Sequence, residues 1–324
     1  MAHLALLATG GTIATRASQA GRSVALGAAE LLASAETVGL PEGVRVEAID
    51  AAGRLSFAAG LDDLADLARD VRSAAADHDG VVVTQGTDTL EETAFLLALT
   101  HDAGTPVTVT GAQRPADDAA PDGPHNLAAA LRWAAHGVPG VTVTFAGHVL
   151  PAVGVRKVHS ARLEAFAASD RGPLAGVDRA GVRVHAASVV PPLADPPSVL
   201  PRVDVVAQYV GADAHALDAA LERGAAGIVV AAFGAGNATP AVTDAALRLC
   251  ARGVPVAVAS RAGAGPVEGL YAGGGADLAR AGALFAGDLS PWQTRLLLSV
   301  AIATRPSDPL DAARGWLRSA GVTP

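Results

Sequence analysis

The chain reads as an α/β protein: a larger N-terminal domain built on a mostly parallel sheet with helices on both faces, then a smaller C-terminal α/β domain. Three observations predict this. At 324 residues the chain exceeds what one core commonly holds, so two domains are expected. Short valine-rich runs alternate with segments of helical period, which implies parallel strands joined by right-handed crossovers. Residues 187–203, ASVVPPLADPPSVLPRV, carry five prolines and read as a stiff, extended linker. The expected boundaries are therefore 1–186, a linker at 187–203, and 204–324.

Each element follows from local pattern. Residues 4–9 form the first strand, ended by Gly10-Gly11-Thr12. Residues 13–28 show no period and are rich in Gly, Ser, Arg and Ala, the pattern of a mobile loop beside a site. Helical patterning occupies 29–35, a strand 44–49, and Leu61, Leu64, Ala68 and Val71 form a helical stripe. Val81, Val82, Val83 and Thr84 make a central strand, 80–84, apolar enough to be buried on both faces. It breaks at Gln85-Gly86 into Thr87-Asp88-Thr89, and a helix follows over 90–101. Strand 106–110 ends in Thr110-Gly111-Ala112, and a helix at 126–136 and a strand at 141–146 complete the alternation. The second domain shows strands at 203–210, 227–233 and 255–260, with helices at 214–223 and 240–250. A glycine-rich tract with Gly273, Gly274 and Gly275 consecutive precedes two final helices, 291–304 and 309–319.

Composition excludes several functions. With 24 basic against 32 acidic residues and no run of Lys or Arg, the chain is no nucleic-acid binder. Its one cysteine, Cys250, permits no intrachain disulfide and no cysteine-based zinc site, and reads as a small apolar residue on a helix. The nine histidines are scattered without an HxxxH or HExxH pair, so neither a structural metal nor a cofactor is expected. The start, MAHLALLATGG, lacks the basic leader and long apolar run of a signal peptide. No stretch of eighteen apolar residues exists, so no membrane partner is expected and the reading is a cytoplasmic protein.

The candidate chemistry lies at strand ends. Thr9-Gly10-Gly11-Thr12 and Thr84-Gln85-Gly86-Thr87 each place a threonine after a glycine turn, where open α/β sheets bind ligands. Glycine lets the backbone bend and a substrate approach closely. A third strand end, Thr110-Gly111-Ala112, brings more free backbone to the same edge. The bland alternative is that Thr87 and Asp88 merely cap a helix. A threonine hydroxyl needs a base to become a nucleophile. Lys157, the sole lysine beside 23 arginines, is the residue whose proton can be shared or released by a neighbouring carboxylate. Its own bland reading is a surface remnant. His125, His148, His159 and His185 sit near element ends and receive no role. Trp133, Trp292 and Trp316 lie on helical stripes and read as core or interface. Arg114 is a partner for Asp117 or Asp118, stiffening its loop.

Five motifs occur in order: ATGGTIA at 8–14, TQGTDTLEETAFLL at 84–97, TGAQRP at 110–115, DGPHNL at 122–127 and VRKVHS at 155–160. With FGAGN at 233–237 and the proline linker, they make the chain closely resemble the bacterial L-asparaginases of the threonine-nucleophile, asparaginase/glutaminase family. The resemblance spans nearly the whole length. It implies Thr12 as the nucleophile that forms an acyl-enzyme, and Thr87, Asp88 and Lys157 as a second triad in which the aspartate holds the lysine. It implies that Asp88 also holds the substrate α-ammonium. The backbone at Gly11, Gly86, Thr87 and Ala112 would bind the substrate carboxylate and the developing oxyanion. It further implies a homotetramer or homodimer with sites between subunits.

Three departures stand out. The family's loop tyrosine is absent; Val24 or Ser23 falls in its place. The serine that grips the substrate α-carboxylate falls at Ala52 or Gly53, and the glutamate lent by a neighbouring subunit falls near Gly275. The expectation is hydrolysis of L-asparagine to L-aspartate and ammonia, with L-glutamine as a lesser substrate. The alternatives are a glutaminase, a hydrolase of D-amides or other ω-amides, and a weakened homologue that binds amino acids without turnover. A dinucleotide-binding protein is set aside because residues 10–15, GGTIAT, lack the GxGxxG fingerprint.

Overall fold

The computed structural model describes residues 2–102, 104–187 and 189–322, without the side chains of Ala52 and Arg54. The chain divides into two compact units, Met1–Val190 and Pro191–Pro324.

The first unit opens with β1 (Ala2–Gly10), the hairpin β2 (Thr15–Ser18) and β3 (Gly21–Val24), helix α1 (Ala28–Glu36) and β4 (Val44–Arg54). Helix α2 (Leu61–Asp77), β5 (Gly80–Thr84), α3 (Leu90–Thr100), β6 (Pro106–Thr110), α4 (Gly123–His136) and β7 (Gly140–Phe145) follow. Short strands β8 (His148–Pro151), β9 (Arg156–Lys157), β10 (Phe166–Ala167), β11 (Ala175–Asp178) and β12 (Gly181–Val184) close it. Among the described residues, eight strands form one sheet in the order β12-β11-β8-β7-β6-β5-β1-β4. Strands β4, β1, β5, β6 and β7 run parallel, and β8, β11 and β12 add an antiparallel wing.

Burial explains the arrangement. Residues of β5 and β6 are buried throughout, as an interior parallel strand covered on both faces must be. On one face Leu4, Leu6, Ala8 and Val82 pack with Leu31 of α1 and with Leu127 and Leu131 of α4. Alternation along the strands sends Ala5, Leu7, Val81 and Val83 to the other face, which α2 and α3 cover. Helix α3 is buried on all sides except at its first turn. Both α1 and α2 begin at a glycine whose N–H donates to an acid three residues on, Gly27 to Glu30 at 2.9 Å and Gly60 to Asp63 at 2.7 Å.

The second unit holds β13 (Val203–Ala207), α5 (His215–Glu222), β14 (Gly227–Ala232), α6 (Pro240–Ala251), β15 (Val256–Ser260), α7 (Gly275–Arg280), β16 (Leu284–Phe285), α8 (Pro291–Thr304) and α9 (Pro309–Ser319). Among the described residues its strands are parallel in the order β13-β14-β15-β16. Trp133 is core, donating to Thr142 Oγ1 at 2.9 Å, and Trp316 is buried, whereas Trp292 is 48 % exposed. Cys250 is half-buried on α6, and burial pushes its thiol above the ordinary value.

Residues 13–28 depart from expectation. They are no structureless loop: Thr15 pairs with Val24, Arg16 with Ser23 and Ser18 with Gly21 in a hairpin. Asp117 holds it, accepting from Arg22 Nη1 at 2.7 Å and from the Ala17 N–H at 2.8 Å. Asp117 is thus not the partner of Arg114, which donates to the Ala120 carbonyl instead. The polar composition that suggested mobility belongs to an exposed two-stranded ribbon pinned by an ion pair.

Candidate active site

The carboxyl ends of β6, β5 and β1 are neighbours, because Ala8 pairs with Thr84 and Thr84 with Thr110. All three strands end at a glycine, and there the chains touch. Gly11 has φ 80°, and a Cβ on it would lie 2.4 Å from the Gly86 Cα. A Cβ on Gly86 would lie 2.4 Å from Ser56 Oγ, and one on Gly111 would lie 2.4 Å from the Gln85 carbonyl oxygen. Such distances admit no side chain, so glycine is required for the turns to meet.

Gln85 anchors this junction from below. Its buried carboxamide accepts from Thr9 Oγ1 and donates to Thr93 Oγ1 at 3.0 Å, tying the end of β1 to α3. The same Thr9 hydroxyl donates to the Thr84 carbonyl at 2.7 Å. The turn 86–89 is therefore held on both flanks before any ligand arrives.

Thr87 and Asp88 do not cap α3. Thr89 is the N-cap residue, and its hydroxyl donates to the Ser56 carbonyl at 3.4 Å. Thr87 is buried and Asp88 is exposed, with Lys157 reaching both. Its ammonium donates to Thr87 Oγ1 at 2.8 Å and to Asp88 Oδ1 at 2.7 Å. The lysine side chain is only 18 % exposed, so it is not a surface remnant. Two features fix it. Lys157 pairs with Phe166 in the short ribbon β9–β10, and its backbone N–H donates to the buried carboxylate of Glu91 at 2.7 Å. Thr87 Oγ1 also lies 3.2 Å from Gln113 Oε1.

Thr12 follows Gly11 in a single 3₁₀ turn, Thr12–Ala14, whose carbonyl accepts from Thr15 Oγ1 at 3.0 Å. Its side chain is half-buried. Ala112 is fully buried in the core at the end of β6. The loop after it is set by the DGPHNL motif. Asp122 accepts from the Gln113 and Arg114 N–H groups at 3.0 and 2.9 Å, while Asn126 donates to the Gly111 carbonyl at 2.9 Å. The structure thus joins Lys157 to Thr87 and Asp88 directly, and brings Gly11 and Gly86 into contact beside them.

Sequence reasoning missed Ser56, Glu91, Asp122 and Asn126. Ser56 is the most telling. Of the two positions expected to replace a serine, the Ala52 side chain lies outside the described residues, and Gly53 is near Val24. Ser56, in the 3₁₀ turn Ser56–Ala58, is buried and puts its hydroxyl against Gly86. The pairing of β4 with β1 is irregular beyond Asp50, where Gly10 aligns with Arg54, so the chain before Ser56 departs from a regular register. At Gly275 a side chain would be tight, since a Cβ would lie 3.0 Å from the Gly236 carbonyl oxygen.

A doubly covered α/β sheet whose glycine turns gather threonine, aspartate and lysine offers hydroxyls and an amine at its ligand-binding edge. Comparison with known proteins identifies the family. Residues 3–190 match the family described as Asparaginase, N-terminal, and residues 202–313 match the Glutaminase/Asparaginase C-terminal domain. A probable L-asparaginase of Deinococcus radiodurans is 39 % identical, with 92 % of each chain covered. An L-asparaginase of Bacillus licheniformis is 33 % identical, covering 93 % of this chain and 95 % of that one. The thermostable L-asparaginase from Thermococcus kodakarensis superposes with a TM-score of 0.88 at 28 % identity over 99 % of both chains. A probable cytoplasmic L-asparaginase from Campylobacter jejuni gives a TM-score of 0.86 at 32 % identity, covering 98 % of this chain and 99 % of that one. This chain belongs to the asparaginase family, and is a hydrolase acting on amide bonds.

Proposed function

We propose that this chain hydrolyses L-asparagine with water to L-aspartate and ammonia through an acyl-Thr12 intermediate. The observation that carries the reading is the ammonium of Lys157 held at 2.8 Å from Thr87 Oγ1 and 2.7 Å from Asp88 Oδ1, beside the turn that presents Thr12. Thr12 Oγ1 bonds to the side-chain amide carbon, the C–N bond breaks, and ammonia leaves with the hydroxyl proton. Water then cleaves the ester and restores the threonine. Lys157, in its neutral form, takes a proton from Thr87 or from that water, and Asp88 steadies the ammonium that results. Asp88, more than half exposed, also has an oxygen to spare for the substrate α-ammonium. Backbone N–H groups at Gly11, Gly86, Thr87 and Ala112 meet the substrate carboxylate and the developing oxyanion, where one donor is worth about 10²–10³ in rate. Ser56 takes the α-carboxylate grip that the sequence assigns to Ala52 or Gly53.

No tyrosine occurs among residues 1–190; Tyr209 and Tyr271 belong to the second unit. Val24 packs against the core instead. The proton of Thr12 therefore travels through water or Lys157. This departure favours one second reading, a slower hydrolase with glutamine or a D-amide as its better substrate. The working form is a homotetramer or homodimer in the cytoplasm, checked by light scattering and fractionation.

Ammonia release from L-asparagine, L-glutamine and their D forms tests the reading. Thr12→Ala is expected to abolish release from all of them. Wild-type protein inert toward every amide in the set leaves only the amino-acid-binding alternative.

A further inference from the structure

At the amino-terminal edge of the same sheet, opposite the catalytic turns, three side chains from distant segments meet. His3 stands at the start of β1, Glu47 in β4, and His78 at the C-cap of α2. Ala5 is the partner of Glu47, so Glu47 shares its face of the sheet with Ala5 and His3, the face that α2 covers. His78 Nε2 lies 3.3 Å from Glu47 Oε2, and His3 Nε2 lies 3.9 Å from the same oxygen. One ligand atom from each residue falls within 4.8 Å of the others.

The hydrogen-bond pattern around these atoms is unbalanced. His78 Nδ1 is 2.9 Å from the Ala74 carbonyl, which can only accept, so Nδ1 carries the ring proton. In the neutral ring Nε2 is then a bare lone pair facing a carboxylate that likewise only accepts. His3 Nε2 is buried and has no hydrogen-bond partner. Two imidazole nitrogens and a carboxylate oxygen thus converge, one of the nitrogens without a partner. A proton would satisfy one such pair; a metal ion satisfies all three. The spacing suits one. Ligands about 2.0–2.1 Å from a tetrahedral ion lie roughly 3.3–3.4 Å apart. The 3.3 Å pair already has that separation, the 3.9 Å pair is close to it, and the two imidazole nitrogens lie within 4.8 Å of each other, so an ion would draw the rings and the half-exposed Glu47 together.

The frame behind the ligands is stiff. The His3 N–H donates to Asp79 Oδ2 at 2.8 Å, and the Asp79 N–H donates to the His3 carbonyl at 2.7 Å. The Ala74 carbonyl fixes the His78 ring, the second-layer contact that metal-bound imidazoles require. The C-terminal carbonyls of α2 add a favourable field for a cation. Glu47's exposure leaves an entry path and an open side for a fourth ligand.

We propose that His3, Glu47 and His78 form a site for one divalent transition-metal ion of the borderline class that Zn²⁺ represents, clamping β1, β4 and the α2–β5 junction. Two imidazole nitrogens select against Mg²⁺ and Ca²⁺, which take oxygen ligands. None of the three residues takes part in amide hydrolysis.

The test uses untagged, full-length protein stripped with chelator, then dialysed against Zn²⁺ at pH 7.5, with metal analysis and thermal melts. The expected result is one ion per chain and a Tm raised by about 5 °C or more at hundredfold excess over Kd. Mg²⁺ at the same concentration gives no shift. Glu47→Gln and His78→Gln each lose the ion and the shift while keeping wild-type ammonia release in chelated buffer. Glu47→Gln, on an exposed edge, decides the matter should His78→Gln fold poorly. Wild type that takes up no more Zn²⁺ than Glu47→Gln, or a shift that both variants retain, overturns the proposal.

Discussion

Two glycine turns in this chain share a plan and end differently. Gln85-Gly86 leaves β5 for α3, and Phe233 to Gly236 leaves β14 for α6; both strands are buried, parallel and interior to their sheets. At Gly86 the missing Cβ admits the Ser56 hydroxyl, the missing Cβ of Gly11 admits the Gly86 backbone, and the next residues are Thr87 and Asp88. At Gly236, φ 122°, the missing Cβ admits the ring of Phe285 at 2.9 Å, and the Gly236 carbonyl packs on Gly275. The first turn delivers polar atoms to a partner lysine. The second seals apolar packing. A glycine turn at the carboxyl edge of a parallel sheet is therefore an opportunity for a site, and becomes one only when polar side chains and a matching charge follow it.

The comparison breaks most readily at Lys157. Lys157→Arg keeps the positive charge beside Asp88 but removes the group that can deprotonate. Ammonia release should fall by about 10²–10⁴, as loss of a positioned base does. Steady-state kcat measures it, and an arginine variant with wild-type kcat would make the lysine a mere counter-ion. Gly86→Ala comes next. Its Cβ would drive Ser56 away from the turn, and displacements near 1 Å cost about 10²-fold in rate. Gly236→Ala should instead leave kcat intact while lowering stability by about 1–3 kcal/mol, the cost of a left-handed non-glycine backbone. If the two variants exchanged these signatures, the distinction between the turns would be wrong.

A smaller effect is expected at Glu91, which touches Lys157 through its backbone N–H. Glu91→Ala leaves that N–H, and whatever else the carboxylate holds, without an acceptor, at a cost of about 1–3 kcal/mol. Denaturant unfolding reads the stability loss. The kcat of the folded variant should drop less than in Lys157→Arg, because the ammonium keeps its own two contacts.

The sequence announced whatever was carried by continuous runs. Residues 80–84 are uniformly apolar, and the strand sits where that run sits. Lys157, Thr87 and Asp88 stood out because their residue types are rare or paired in short motifs, and direct hydrogen bonds join them. Strands β8 to β12 were not, since two to four residues cannot establish a period. Ser56 hid behind the irregular end of β4. His3, Glu47 and His78 are far apart in sequence and form no spaced motif, so only the fold brings them together. Residues carried by distinctive motifs were readable; contacts set by strand register or by residues outside any motif were not.

The hairpin β2–β3 offers the smallest effect and a check on why it is ordered at all. The Ala17 N–H and, next, the Arg22 guanidinium hold the Asp117 carboxyl below its ordinary value of 3.8. A carboxyl depressed in the folded state contributes order that is fully present above its unfolded pKa and is lost as pH falls through the folded one. The hairpin should therefore stay closed at pH 5, weaken only below the ordinary carboxylate range, and be indifferent to pH between 6 and 8. Because the pair is in contact with solvent, salt should loosen it. Asp117→Asn removes the charge but leaves an acceptor for the Ala17 N–H, so trypsin cleavage after Arg16 and Arg22 at neutral pH should quicken modestly. If cleavage of wild type already matches the variant, the ribbon's order comes from its backbone pairing, and Asp117 is incidental.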